Sequence, residues 1–407
     1  MLLLMAGWAW GAEDVKAEEK QPSKGLLFFY RTGAWVDKYL MHDLDTSYIC
    51  LPEHSWSVAF TTGTLGINST TNSTSKVEAL DFPLTLSMLN RTTPSVDFGF
   101  NAGFRGFGFG YAWDAFHAYA RRLNFSFGSK HIGVEFSHQT STNIHTDVAM
   151  DGVQLSKMSF DNVVTISNTN LDVWYALNAA HYSHNAATKQ SYIQRKSAGS
   201  LLLHLSYMSS QIRLDDTITV PEATKPTLPS LMSGMQQMTT RQVAVGIGYG
   251  INYTPNQGKV LLHMSATAKL VFYSINQIYY TTQDTAVKAY VAPCYNIMPE
   301  RPVHVSGSMR AAVSWEINQY VHMSAWGQAE NVRFATGTED TRAKFSNWNW
   351  HAHLNVGVRF GVGKTRVRKI VETADKLDPE INTPPAAVRK SRLPQWITDY
   401  FFSPRMP

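Results

Sequence analysis

The 407-residue sequence is poor in cysteine, in charge and in long apolar runs, and each shortage narrows what the chain can be. Only Cys50 and Cys294 occur, too few for a disulfide framework, and their distance in sequence gives no ground for pairing them. No run approaches the roughly 18 apolar residues of a spanning helix, so the chain would enter a membrane as strands. Charged residues make up 16% and aromatics 12%, lean in charge and rich in rings for a soluble protein. The net charge is +5, but the stretch after Val362 holds nine basic and five acidic residues, which leaves the remainder nearly neutral. No body-wide nucleic-acid surface is therefore implied.

What is present is alternation. From Trp348 onward the even positions are Trp348, Trp350, Ala352, Leu354, Val356, Val358 and Phe360, while the odd ones include Asn349, His351, His353, Asn355 and Arg359. One face is apolar and the other polar for over a dozen residues, about twice the usual 5 to 6 of a soluble strand. Similar stretches at 56–65, 82–89, 96–113, 121–127, 131–139, 171–183, 199–209, 241–253, 259–273, 303–317, 321–333 and 344–362 make twelve strands. The fold class this predicts is all-β, a transmembrane antiparallel up-and-down β-barrel of about twelve strands. Within 96–113 the apolar face changes parity across Arg105-Gly106, which is read as a β-bulge in one strand because bacterial single-chain barrels have even counts. Connections alternate between long or polar and short, with 184–198 of middling length on the short side. Short turns face the periplasm in outer-membrane barrels, so both termini are expected there, in the outer membrane of a Gram-negative bacterium.

The domain reading follows. Residues 1–11 are expected to be a truncated signal peptide, with Ala9 and Gly11 placed as a cleavage site would want them. Residues 12–45 form a periplasmic N-terminal segment whose Leu27, Phe28, Trp35, Val36, Tyr39 and Leu40 suit a short amphipathic helix, expected first to pack plainly against the barrel mouth, with a periplasmic cap or an interfacial helix as the alternatives. Residues 46–363 form the barrel, and 364–407 a basic periplasmic tail.

Two short motifs carry a resemblance. Asp45-Thr-Ser-Tyr-Ile before the first strand, and Gln194-Arg-Lys-Ser-Ala-Gly-Ser-Leu at the opening of another, resemble a Gram-negative outer-membrane barrel family known only as domain-of-unknown-function family forty-four twenty-one. The likeness covers roughly residues 40–362. It implies a barrel and lends no activity.

Parity places Glu135, His204, His263, Lys269, His304, Arg310, Glu316, His322, His351, His353 and Arg359 on the inner face. Such side chains commonly brace a barrel wall through hydrogen bonds. The favoured function is an envelope or surface barrel, with a narrow channel as one form of it. The alternative is an outer-membrane hydrolase acting on lipid or peptide, because His204 with Ser206, and His263 with Ser265, put imidazole and hydroxyl two apart on one face. No elbow motif or acidic cluster accompanies them, so an enzyme is the lesser expectation. His351 and His353 lack a third ligand at metal-site spacing, and no cofactor or metal is expected. Glu316 should face His322 across the hairpin at 318–320. Expected partners are outer-membrane lipid, the barrel-assembly machinery and a periplasmic partner for the tail, with no nucleic acid.

Overall fold

A computed structural model describes residues 24–75, 84–92, 96–116, 120–129, 131–142, 144–151, 158–162, 164–214, 235–256, 258–280, 282–283, 290–291, 294–297, 303–337 and 341–377. The expected signal peptide, residues 12–23 and the tail beyond Leu377 lie outside them. The chain forms two compact units, one of residues 37–361 and one of the flanking segments up to Val36 and from Val362.

The first unit is a closed antiparallel barrel of twelve strands. Helix α1 (Lys24–Met41) precedes it and stops where Asp43 takes a left-handed φ of 61°. After β1 (Ile49–Cys50), the ring runs through β2 (Trp56–Ser75), β4 (Asp97–Phe104), β5 (Phe107–Asp114), β6 (Ala120–Gly128), β7 (Ile132–Ser141) and β10 (Val164–Ala176). It continues through β12 (Ala198–Leu214), β13 (Met235–Tyr253), β14 (Val260–Tyr280), β18 (His304–Glu316), β19 (Val321–Gly337) and β20 (Thr341–Phe360). β20 pairs back onto β2 from Trp56↔Phe360 to Ser75↔Thr341 and closes the ring. Helix α2 (Lys364–Leu377) follows and belongs to the flanking unit.

Alternation gives the wall two faces. On β20, Leu354, Val356, Val358 and Phe360 point outward, while His351, His353, Asn355 and Arg359 are buried inside. Trp56 packs on Phe104 at 4.3 Å between ring centres, and Phe107 on Phe127 at 4.7 Å, which starts an aromatic belt at the end where the barrel begins and finishes. On β18 the outward apolar side chains run from Trp315 to Val305. Ten residues at about 3.3 Å each, tilted by about 40°, make a band roughly 25 Å tall, the thickness an outer-membrane barrel presents to lipid.

Twelve is the expected number, but two of the expected strands are wrong in compensating ways. The stretch 96–113 is a hairpin, not a bulged strand: Arg105 and Gly106 have φ of 44° and 92°, the pair of positive values a two-residue hairpin loop demands. Phe104 then pairs with Phe107, which is why the apolar face moves from even to odd positions. Conversely, the stretch 82–89 is not in the ring. β3 (Leu84–Thr92) pairs with the outer part of β2 and with β8 (Ile144–Asp151), which pairs with β9 (Met158–Asp161). These strands build a sheet at the far end, and the expected short turn at 90–95 falls largely outside the described residues.

β15 (Thr282–Gln283), β16 (Tyr290–Val291) and β17 (Cys294–Ile297) also lie at the far end, where Cys294 pairs with Tyr279 of β14. Cys50 sits at the other end, paired in register with Ile193 of β11 (Ile193–Gln194). Twenty strand residues separate the levels, on the order of 60 Å, so the two cysteines do not meet.

Candidate functional site

The expected strand 171–183 ends at Ala176, and the chain then turns into the barrel instead of crossing a membrane. Residues 177–197 fill the lumen at the terminal end, with Ala179, Tyr182, His184, Asn185, Ala187 and Tyr192 buried. Two glycines make room: a Cβ on Gly250 would stand 1.9 Å from the Tyr182 hydroxyl, and one on Gly128 would stand 1.8 Å from Asn185 Nδ2.

This plug is where the two motifs meet. β1 pairs with β11, the Asp45 amide donates to Ala180 O at 3.1 Å, and the Arg195 amide donates to Tyr48 O at 2.6 Å. Tyr48 packs edge-on against His181 at 4.4 Å, and Lys196 sits 4.9 Å over the Tyr48 ring while donating to Ser47 Oγ at 3.1 Å. The Ser47 side chain and amide hold the Asp45 carboxyl below its usual range. Gln194 is the buried clasp: its Oε1 accepts from the Ser183 amide and Asn252 Nδ2 at 3.0 Å each, and its Nε2 donates to His181 O at 2.6 Å and Lys196 O at 2.9 Å. Every polar lone pair and proton of that amide has a partner, which a buried amide requires. Ile49, Ala186, Ala187 and Tyr192 then pack on Leu261, Ala312 and Trp326 of the wall.

Above the plug the lumen is ionic. Arg310 of β18 meets Glu135 of β7 in a two-pronged pair, Nη1 to Oε1 at 3.2 Å and Nη2 to Oε2 at 2.5 Å. Those strands lie five places apart in the ring of twelve, so the pair spans the lumen. Arg310 also donates to Gln328, and to His184 of the plug at 3.3 Å. Lys269 lies 2.7 Å from Glu330 and 3.5 Å from Asp172, while Asn170 reaches Glu330 across the lumen at 2.8 Å. Asn168 and Asn349, on strands six places apart, are joined at 2.5 Å. At the same level Met208, Ala244, Val271 and Val332 form an apolar cluster on one part of the inner wall. Polar bonds thus run from the plug to the level of Asn347, whose Nδ2 donates to Asn168 Oδ1 at 3.1 Å and to Ser210 Oγ at 2.9 Å.

Two plug groups are tuned by this setting. Burial, with Arg310 beside it, holds His184 well below its ordinary value and so neutral. Lys189, 5.8 Å from the Trp326 ring, is pushed down to about 8 by burial, against the pull of Glu135.

The remaining inner residues divide between partners. Arg359 pairs with Glu316, its Nη2 donating to Oε1 at 2.7 Å, and also reaches Gln190 O of the plug at 3.3 Å. Glu316 and His322 are cross-strand neighbours as expected, but the carboxylate is taken by Arg359, and the His322 ring occupies the space that a Cβ on its other cross-strand neighbour, Gly357, would need. His304 meets Gln242 Nε2 at 3.2 Å and lines a far-end cavity of about 380 Å³ with Arg333 and Lys344. His351 and His353 are neighbours at 5.2 Å, yet His353 Nε2 faces the Arg122 guanidinium at 2.7 Å, where a metal would have to sit. Among the described residues no group of three metal-ligating side chains converges.

The two His–Ser pairs differ. His204 Nδ1 and the Ser206 hydroxyl both bind the Asp172 carboxylate, so Ser206 is not presented to the imidazole. His263 Nε2 instead lies 3.3 Å from Ser265 Oγ, and its Nδ1 lies 2.8 Å from Asn252 Oδ1. Asn252 Nδ2 donates to Ser183 O and Gln194 Oε1, so its oxygen must face the ring. His263 therefore carries its proton on Nδ1 and turns a lone pair to Ser265. Asn252 was not singled out from sequence, because it joins the pair only through strand register and the plug.

No curated protein matches the chain. Among solved structures it is similar to the outer membrane protease OmpT of Escherichia coli, at 9% identity over 76% of this chain and 98% of that one, with a TM-score of 0.40. It is also similar to the outer membrane protein OprG of Pseudomonas aeruginosa, at 10% identity over 76% and 98% with a TM-score of 0.28. The toluene transporter TodX of Pseudomonas putida follows at 8% identity over 75% and 90% with a TM-score of 0.25. At such identities and scores, what those proteins do stays with those proteins. Residues 43–360 match the family described as domain of unknown function (DUF4421), a span that holds both motifs and the whole ring, and the chain belongs to that family.

Proposed function

We propose that this chain is a sealed outer-membrane barrel, with the plugged end and both termini in the periplasm, that serves the envelope through the surfaces at its two ends and not by permeation. The observation that carries the reading is the Arg310–Glu135 pair joining opposite walls beside the plug, where Arg310 also donates to His184. A permeant would have to break a buried ion pair and part the cross-lumen Asn168–Asn349 bond, which disfavours even a narrow channel. On this reading lipid surrounds the wall, and the barrel-assembly machinery inserts it. The test is conductance in planar bilayers, comparing the full chain with a variant in which residues 178–193 are replaced by a short turn. The full chain should stay silent and the variant should pass current. Discrete steps from the full chain would overturn the sealed reading.

The Asn252–His263–Ser265 arrangement favours a second reading, an acyl hydrolase acting on lipid or peptide, with Ser265 as nucleophile, His263 as base and Asn252 as its orienter. Against it, Ser265 faces the lumen behind the plug, on a polar cavity of about 40 Å³ that it shares with Glu135 and Arg310. Labelling of the full chain by a fluorophosphonate, lost in Ser265→Ala, would support it. Absence of labelling would remove it.

A further inference from the structure

The flanking segments carry two helices of unlike chemistry. On α1, Phe28, Trp35 and Tyr39 fall at i, i+7 and i+11, one face of the helix, and are 66%, 66% and 59% exposed; Phe29 beside them is 71% exposed. Lys38 is exposed along the edge of that face. On α2, Val367 is buried while Arg366, Arg368 and Lys369 are exposed, and the helix carries five basic residues against two acids, Glu372 and Asp375. Large rings on one helix face with cations alongside are what a helix lying in a bilayer interface needs: the rings enter the headgroup region and the cations stay at the phosphates.

The barrel supplies the height. Asp37 of α1 is held by Arg105 in the β4–β5 turn, at 2.8 Å to Nε and 3.2 Å to Nη2. That turn lies between Phe104 and Phe107, in the aromatic belt that also holds Trp56 and Phe360. α2 begins four residues after Phe360. Through the chain, both helices are thus connected to barrel residues at the end of its lipid-facing band. We propose that α1 and α2 form an interfacial foot that docks on the surface of an anionic bilayer at this end, with Phe28, Phe29, Trp35 and Tyr39 in the headgroup layer and Arg366, Arg368 and Lys369 paired with lipid phosphates. The proposal rests on the barrel spanning that bilayer.

The experiment uses the full chain with Cys50 and Cys294 changed to Ser, refolded into phosphatidylcholine vesicles with or without phosphatidylglycerol. One spin label is placed at Phe29→Cys, and a second variant carries it at Val356→Cys on the outer barrel wall. Power saturation with oxygen and a nickel chelate reads whether each label sits in lipid or water. Both labels should favour oxygen in the anionic vesicles. The Phe29 label should shift towards the nickel chelate when phosphatidylglycerol is omitted, or when Arg366, Arg368 and Lys369 are changed together to Gln. A Phe29 label in water beside a Val356 label in lipid overturns the foot and spares the barrel. A Val356 label in water overturns both. Dipolar broadening between Phe29 labels of neighbouring molecules would assign the ring face to a second copy of the chain and also overturn the proposal.

Discussion

β20 is tied to β2 by an unbroken register of twenty residue pairs, whereas the plug has one ladder, two residues long, between β1 and β11. The plug holds its place through side chains: the four bonds of Gln194, Tyr182 and Asn185 seated against glycines, and a few contacts to wall cations. The wall is therefore cooperative and indifferent to most single polar changes, while the plug depends on a small number of satisfied groups and can come loose with the wall intact.

The sharpest way to break that contrast is at the joint. Glu135→Gln leaves Arg310 buried without its carboxylate and should cost about 3 to 5 kcal/mol, loosening plug and wall together, because Arg310 also holds His184. Urea unfolding in vesicles reads the loss. Adding Arg310→Met should recover much of it, since an apolar pair needs no counter-charge; no recovery would mean that the two charges do not act as a pair.

Adjacent wall positions separate the two solvents. Val356 is outward and Asn355 inward, where Asn355 donates to Ser324 Oγ at 3.1 Å and accepts from the Thr61 hydroxyl. Val356→Arg places a guanidinium against hydrocarbon and should cost roughly 2 to 4 kcal/mol of folding stability in vesicles. Asn355→Ala leaves two polar neighbours short of a partner and should cost about 1 to 2 kcal/mol. A larger loss at Asn355, or stable folding without lipid or detergent, would contradict a lipid-facing wall.

Within the plug, Gln194→Ala strands the Ser183 amide and the carbonyls of His181 and Lys196, at about 1 to 3 kcal/mol. The loss should be local. Hydrogen exchange should quicken in residues 177–197 and leave β13 and β14 unchanged; equal loss in both would mean that plug and wall open as one.

The same contrast governs what could be read from sequence. Wall strands announce themselves because a period of two survives wherever one side faces lipid and the other a polar interior, as at 348–360. The hairpin at Arg105-Gly106 was marked by its parity change, but one inserted residue and a two-residue loop shift parity alike, and only backbone φ separates them. Plug residues have no period, so Leu177–Ser183 reads as the continuation of a strand. The inner charges were visible by parity, but their partners were not: Arg310 finds Glu135 five strands away, a distance set by ring closure and stagger. The two motifs were legible as strings, and their contact was not, since it needs the chain to turn back into its own lumen.

Acid should separate plug from wall by the smallest and most graded effect. Arg310 Nη1 can only donate, so His184 Nε2 must accept from it, and His184 Nδ1 is left to carry the proton toward the Tyr182 hydroxyl at 2.9 Å. A second proton would have to enter at Nε2, directly against the guanidinium, with the His263 ring 5.3 Å away. Burial and Arg310 accordingly hold His184 well below its usual value in the folded plug. Once released, the ring would take a proton near its ordinary value of about 6.5. The released state therefore binds more protons, and the stabilisation from His184 is complete above about pH 6.5 and falls as the pH drops, by at most about 1.4 kcal/mol per pH unit for the one group. Protection of residues 177–197 in hydrogen exchange should decline between about pH 6.5 and 5 while that of the wall ladders holds, and His184→Asn should flatten the decline. A decline of the same size in that variant would place the titrating group elsewhere.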